Sequence, residues 1–175
     1  QSRFDKAFQN IEELEAGSIA NKDENRQVGH YWLRNPSLAP SKPIEHQISK
    51  QIDRIEIFGK DILNGNIRTS NNYRFTDVLW IGIGGSGLGP MLIVQSLQKS
   101  QSGLRFHFLD NIDSVGVSNK LNLLGKSLTT TLFVVVSKSG GTPEPRLAME
   151  QARFKLEQCG GNWSGQAVAI TMPNS

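Results

Sequence analysis

One cysteine in 175 residues, Cys159, leaves no disulfide possible within the chain, and such sparse cysteine usage fits a reducing compartment. Cys159 falls at the end of a helical stretch, where a half-buried thiol without a catalytic role is expected. Long apolar runs are missing as well. Nothing approaches the roughly 18 consecutive apolar residues of a membrane span, and no signal-peptide pattern is visible. A cytoplasmic protein with no membrane partner is expected, and Asn162-Trp163-Ser164 reads as a chance match to the glycosylation pattern. The 19 basic and 16 acidic residues, net +3, form no block of like charge, which argues against a nucleic-acid partner. No His, Cys, Asp and Glu grouping has metal-ligand spacing, so no metal is expected. The histidines His30, His46 and His107 lie before the strand region, on a predicted helix and inside a predicted strand, and none of them reads as catalytic.

What is present suffices for a core. Hydrophobic residues at 37% and charged residues at 20% are ordinary for a globular protein, and a domain of about 150 residues buries roughly 70% of its unfolded surface. Residues 1–72 read as an N-terminal helical segment. Phe4, Phe8, Ile11 and Leu14 share one helical face that Gly17 ends, and Ile44, Ile48, Ile52, Ile55 and Ile62 repeat the spacing up to about Gly65. These helices are expected to pack on the remainder of the chain. Residues 73–175 alternate short apolar runs with helical stretches. Strands are predicted over 78–83, 105–109, 131–136 and 166–171, with helices over 89–99, 114–125 and 143–158. That alternation predicts an α/β fold, a parallel sheet covered by helices on both faces, with ligands beyond the carboxyl ends of its strands. The chain begins at Gln1 and stops at Pro173-Asn174-Ser175 just after a strand. A truncated fold, a fragment of a longer protein, is therefore expected.

Two turns rich in glycine and hydroxyls leave predicted strands directly. The first is Ile81-Gly82-Ile83-Gly84-Gly85-Ser86-Gly87-Leu88-Gly89-Pro90, the second Ser137-Lys138-Ser139-Gly140-Gly141-Thr142-Pro143. Each opens a helix, where backbone N–H groups and the helix dipole favour an anion. Gly82-Ile83-Gly84-Gly85-Ser86-Gly87 also fits the G-x-G-x-x-G spacing of dinucleotide sites, with Asp110 where a ribose-binding acid would stand, so an NAD-binding domain is one reading. Against it, Ser86 puts a hydroxyl inside the nest, and a dinucleotide site has no use for a second phosphate-type loop. In the second loop Gly140 and Gly141 permit positive φ, so that Ser137, Ser139 and Thr142 can converge. Thr142 is placed as an N-cap, Pro143 as the first helical residue and Glu144 in the first turn.

These residues together resemble the glucose-6-phosphate isomerase family of the sugar-isomerase (SIS) superfamily. Ile81 to Pro90 is similar to that family's glycine-serine signature, and Ser137 to Glu144 to its phosphate loop. Phe108-Leu109-Asp110-Asn111-Ile112-Asp113 resembles the segment after its second strand, and Gly29-His30-Tyr31-Trp32-Leu33-Arg34 the entry region of bacterial members. The resemblance implies a three-layer α/β/α sandwich, a sugar-phosphate substrate, no cofactor and a homodimer. It implies phosphate binding by Gly85, Ser86, Ser137, Lys138, Ser139, Gly140, Gly141 and Thr142. The family interconverts glucose 6-phosphate and fructose 6-phosphate through a cis-enediol, with a glutamate base and with histidine and lysine assisting ring opening. Those groups belong to later segments of the family, so no catalytic residue is expected in this chain, and Glu144 is not assigned as the base. Pro145 departs from the polar residue often found there and bears on the local cap. A non-catalytic sugar-phosphate sensor of the same superfamily is the alternative reading.

Overall fold

The computed structural model describes residues 2–97, 103–173 and 175, which fall into two compact units, Gln1–Lys60 and Asp61–Ser175. The first unit opens with α1, Arg3–Glu15, whose start is a capping box. Ser2 Oγ accepts from the Asp5 N–H at 3.1 Å and the Asp5 carboxylate accepts from the Ser2 N–H at 2.9 Å. Gly17, at φ +97, turns the chain out of the helix. The apolar stripe of α1 is real but uncovered: no residue of the helix is buried, and Phe4 and Phe8 are 77% and 63% exposed. A short hairpin of β1, Ile19–Asn21, and β2, Arg26–Gln27, comes next. Helix α2, His30–Arg34, buries Trp32, whose indole N–H donates to the Glu15 carbonyl at 2.9 Å. Helix α3, Lys42–Asn64, obeys the isoleucine spacing, although Ile55 is exposed and Ile62 buried.

The second unit is built on β3, Asp77–Ile81, α4, Gly85–Leu97, β4, Arg105–Leu109, α5, Ser114–Leu124, β5, Thr131–Val136, α6, Pro143–Gln158, and β6, Ala167–Ile170. All strand pairs are parallel and the order is β4-β3-β5-β6. The predicted α/β architecture is therefore observed. Two boundaries differ by more than one residue: the strand expected over 78–83 ends at Ile81, and the helix expected from residue 89 begins at Gly85. The last two positions expected for that helix, 98 and 99, lie outside the described residues. Side chains alternate across the sheet. Leu79 and Ile81 of β3 and Phe133 of β5 pack with Val117, Leu121 and Leu124 of α5 and with Ala148, Ala152 and Leu156 of α6. Val78 and Trp80 consequently face the other side, where Trp80 bonds to α4. Fully burying a leucine or phenylalanine contributes about 1.5–3 kcal/mol, so this cluster fixes the sheet on which the loops stand.

Gln166 ties the α6–β6 connection to that core. It is 2% exposed, and its Nε2 donates to the carbonyls of Leu128 at 3.0 Å and Thr131 at 2.9 Å. Gln166→Leu is expected to lower the unfolding free energy by about 2 kcal/mol, because both buried carbonyls lose a donor; urea titration of the purified variant checks this. Cys159 corrects an expectation. It stands at the C-cap of α6 and is exposed rather than half-buried, because the chain turns away there through Gly160 at φ +79. Among the described residues no helix is long and apolar enough to cross a membrane, and no three His, Cys, Asp or Glu side chains are grouped to hold a metal.

Candidate functional site

The strand order creates one crevice by topology. From β3 the chain crosses to β4, from β5 to β6, and these connections leave the adjacent pair β3–β5 in opposite directions. The carboxyl ends of β3 and β5 therefore flank a topological switch point, the place where open parallel sheets bind ligands. Ile81 is in register with Val135, so the two loops start side by side, one strand spacing of about 4.8 Å apart. Asp110 directly follows the neighbouring β4 and is half-buried.

In the first loop the glycines do different things. Gly84 turns the chain at φ +55. At Gly82 a Cβ would stand 2.9 Å from the Ser86 carbonyl oxygen, and at Gly87 it would fall on the Gly82 carbonyl oxygen. These two let α4 press against the end of β3. The N–H groups of Ser86 and Gly87 are spent on turn bonds, to Ile83 at 3.1 Å and Gly84 at 3.0 Å. Gly84 and Gly85 are exposed at the loop tip, and Ser86 sits half-buried in the first turn of α4.

The second loop gathers three hydroxyls. Ser137 Oγ donates to Thr142 Oγ1 at 3.0 Å, Ser139 Oγ lies 3.5 Å from the same oxygen, and the Gly141 N–H donates to Ser139 Oγ at 3.2 Å. Gly140 makes the bend at φ +69; Gly141, for which positive φ was also allowed, does not adopt it. Thr142 takes the N-cap position, Pro143 the first helical position and Glu144 the first turn, but the Thr142 side chain makes no capping bond. Pro145 removes one of the two partners open to such a cap: a threonine there accepts from the second or third helical N–H, and the third helical residue here is a proline with none. The hydroxyl that would have closed the helix instead faces Ser137 and Ser139. With Pro143 and Pro145 both lacking N–H, hydroxyls supply donors that amides supply at an ordinary helix start.

The end of β6 and the residues after it, not assigned to the site by sequence reasoning, brace this loop. The Ser137 N–H donates to the Ile170 carbonyl at 3.1 Å and the Met172 N–H to the Lys138 carbonyl at 3.2 Å. A Cβ on Gly140 would meet Ser175 Cβ at 2.9 Å. The structure thus brings Ser137, Ser139 and Thr142 together, with exposed Lys138 and Gly140 between them, and sets Gly85 and Ser86 on the neighbouring strand end. His107 is elsewhere, 2.8 Å from Asp77 across β3 and β4.

Comparison with known proteins addresses the chain as a whole. The family model described as phosphoglucose isomerase matches residues 4–173. A glucose-6-phosphate isomerase of Prochlorococcus marinus (strain MIT 9313) is 60% identical over 173 residues, covering 99% of this chain and 31% of the relative. One from Synechococcus sp. (strain CC9605) is 61% identical over 175 residues, 100% of this chain and 33% of the relative. The crystal structure of a glucose-6-phosphate isomerase from Chlamydia trachomatis D/UW-3/Cx superposes with a TM-score of 0.80 at 26% identity, over 97% of this chain and 33% of that one. The chain spans about a third of the length of the curated relatives it matches. Neither the sensor nor the dinucleotide reading is favoured by these matches.

Proposed function

The chain belongs to the phosphoglucose isomerase family, and from that membership we propose that it is part of an aldose-ketose isomerase interconverting glucose 6-phosphate and fructose 6-phosphate. In this reading the stretch supplies the grip on the substrate's phosphate through Gly85, Ser86, Ser137, Lys138, Ser139, Gly140, Gly141 and Thr142. The observation that carries it is the convergence of Ser137, Ser139 and Thr142 at the end of β5, beside the glycine turn of β3. Each hydroxyl can give one proton and accept two. A phosphate arriving there takes over the donors that these side chains now spend on one another, and the N-terminus of α6 adds its dipole.

The phosphate lies remote from the carbons that exchange a proton, so its binding energy orients the sugar rather than driving the chemistry directly. The glutamate base and the histidine and lysine that open the ring are expected outside this stretch. Two further assignments go with the reading. A cytoplasmic location suits a phosphorylated substrate and a lone reduced thiol. A homodimer suits the uncharged helix α4, whose Leu88, Leu92, Ile93 and Leu97 are all more than half exposed, an apolar surface of the kind that protein contacts cover.

The test is a Ser139→Ala, Thr142→Ala double variant of the full-length protein. Hydrogen bonds to a charged group contribute about 1.5–3 kcal/mol, partly recovered by water, so KM for fructose 6-phosphate should rise about tenfold to a hundredfold, with kcat changed less. Binding of unphosphorylated fructose should not change. An unaltered KM would overturn the assignment of the cradle.

A further inference from the structure

Pro90 is the sixth residue of α4, and its position creates a fault that the strand below repairs. In a helix the N–H of each residue bonds the carbonyl four positions earlier, so residue 90 is the partner of Ser86. Proline has no N–H, and its ring crowds that same carbonyl. The Ser86 carbonyl is accordingly left without its helical donor in the turn that begins α4. The Trp80 indole supplies one: Nε1 donates to the Ser86 carbonyl at 2.7 Å. Trp80 lies on β3, which is bonded to β4 on one side and β5 on the other, so the donor stands on one of the two interior strands of the sheet.

We propose that Trp80 is a positioning residue for the first phosphate loop, its indole N–H standing in for the amide that Pro90 lacks and holding Gly85 and Ser86 in place for the substrate's phosphate. This rests on the phosphate-binding reading of that loop. Fixing the Ser86 carbonyl fixes the peptide plane between Ser86 and Gly87. It thereby sets the direction of the Ser86 side chain and the closeness of α4 to Gly82, where the Ser86 carbonyl oxygen is 2.9 Å from a Cβ built on Gly82. Proline also gains a purpose in this arrangement. A helix that satisfied Ser86 internally would leave the first turn tied only to itself, whereas the Trp80 bond ties it to the sheet that carries the second loop.

Trp80→Phe keeps most of the ring and removes the donor; Pro90→Ala restores the missing amide. In the full-length protein Trp80→Phe is expected to raise KM for fructose 6-phosphate and the inhibition constant of inorganic phosphate about fivefold to thirtyfold, the effect of one orphaned carbonyl, with kcat within about twofold. Adding Pro90→Ala to Trp80→Phe should bring both constants back to within about threefold of Pro90→Ala alone, because the backbone amide regained at position 90 donates to the Ser86 carbonyl. A role for Trp80 in packing alone predicts no such rescue. The proposal is overturned if Trp80→Phe leaves both constants unchanged, or if Pro90→Ala fails to restore them. The Ser139→Ala, Thr142→Ala variant separates the two levels. If it raises KM while Trp80→Phe does not, the cradle stands and the role of Trp80 falls; if neither does, the cradle reading itself has failed.

Discussion

Removing the carboxylate of Asp77 is expected to destabilise the protein by about 3 kcal/mol at neutral pH and to blunt its sensitivity to acid. Asp77 is 1% exposed at the amino end of β3, away from the loops. Its Oδ1 accepts from Arg105 Nε at 2.9 Å and lies 2.8 Å from His107 Nε2, while its Oδ2 accepts from Arg105 Nη2 and from Thr76 Oγ1, each at 2.8 Å. Burial pushes this acid's pKa up, but the bonds from Arg105, His107 and Thr76 and the guanidinium charge outweigh burial, and the group sits below the ordinary carboxylate value. A folded pKa below the unfolded one means that folding favours the ionised form. That stabilisation is present above the unfolded value of about 3.9 and is lost as pH falls through it toward the folded value. Asp77→Ala should therefore show its full deficit in urea unfolding near pH 7 and converge on the wild type below about pH 4. The deficit belongs at the low end of the roughly 3–5 kcal/mol for a broken buried pair, because the Arg105 side chain, 65% exposed, can turn to water. Asp77→Asn keeps one acceptor oxygen and should lose less. A deficit that stays constant from acid to neutral pH would rule out the electrostatic account.

The sequence announces the two loops because their chemistry is concentrated: five glycines stand between positions 82 and 89, and three hydroxyls between 137 and 142. The parallel architecture is equally legible, since the buried strands β3 and β5 are apolar from their second residues, Val78 and Leu132, to their ends. The strand order is not, because no local pattern says that β3 pairs with both β4 and β5, and the switch point exists only once that pairing is made. Other misses have local causes. The expected start of α4 at residue 89 is four residues late: the helix begins at Gly85, and Trp80, six residues before Ser86 in sequence, donates to the carbonyl that Pro90 leaves without its helical partner. Thr142 reads as a cap from its place before Pro143, and it takes that position without a capping bond, its hydroxyl lying against those of Ser137 and Ser139 and one of its two candidate amide partners being absent at Pro145. The stripe of Phe4, Phe8 and Ile11 predicts the α1 helix correctly from periodicity, which reports helicity and says nothing of what covers the face.

The strongest effect at the site itself is expected from one methyl group. Gly87→Ala would place its Cβ on the Gly82 carbonyl oxygen and 3.4 Å from Asp110 Cβ. Backbone conformation is no obstacle, because Gly87 is helical and is absent from the positive-φ residues of the described chain. The obstacle is space. Gly82 cannot yield, since its N–H is bonded to the Leu109 carbonyl at 3.1 Å and it continues the central strand, so α4 must lift from β3. That movement pulls Ser86 off Trp80 and opens the turn. Overpacking typically costs about 1–3 kcal/mol, and with backbone on both sides of the contact this substitution belongs at about 3 kcal/mol or beyond. A displacement of about 1 Å in positioning groups can cost a hundredfold in activity, so KM for fructose 6-phosphate should rise by about that factor. Helix propensity alone predicts the opposite sign, a gain of roughly 0.5–1 kcal/mol for alanine over glycine. Gly89→Ala supplies that control, because a Cβ there meets nothing within 4 Å, and it should be neutral or slightly stabilising. Denaturant midpoints of the two variants decide between the accounts: if Gly87→Ala is as stable as Gly89→Ala, the close approach of α4 to β3 is not what holds the first loop.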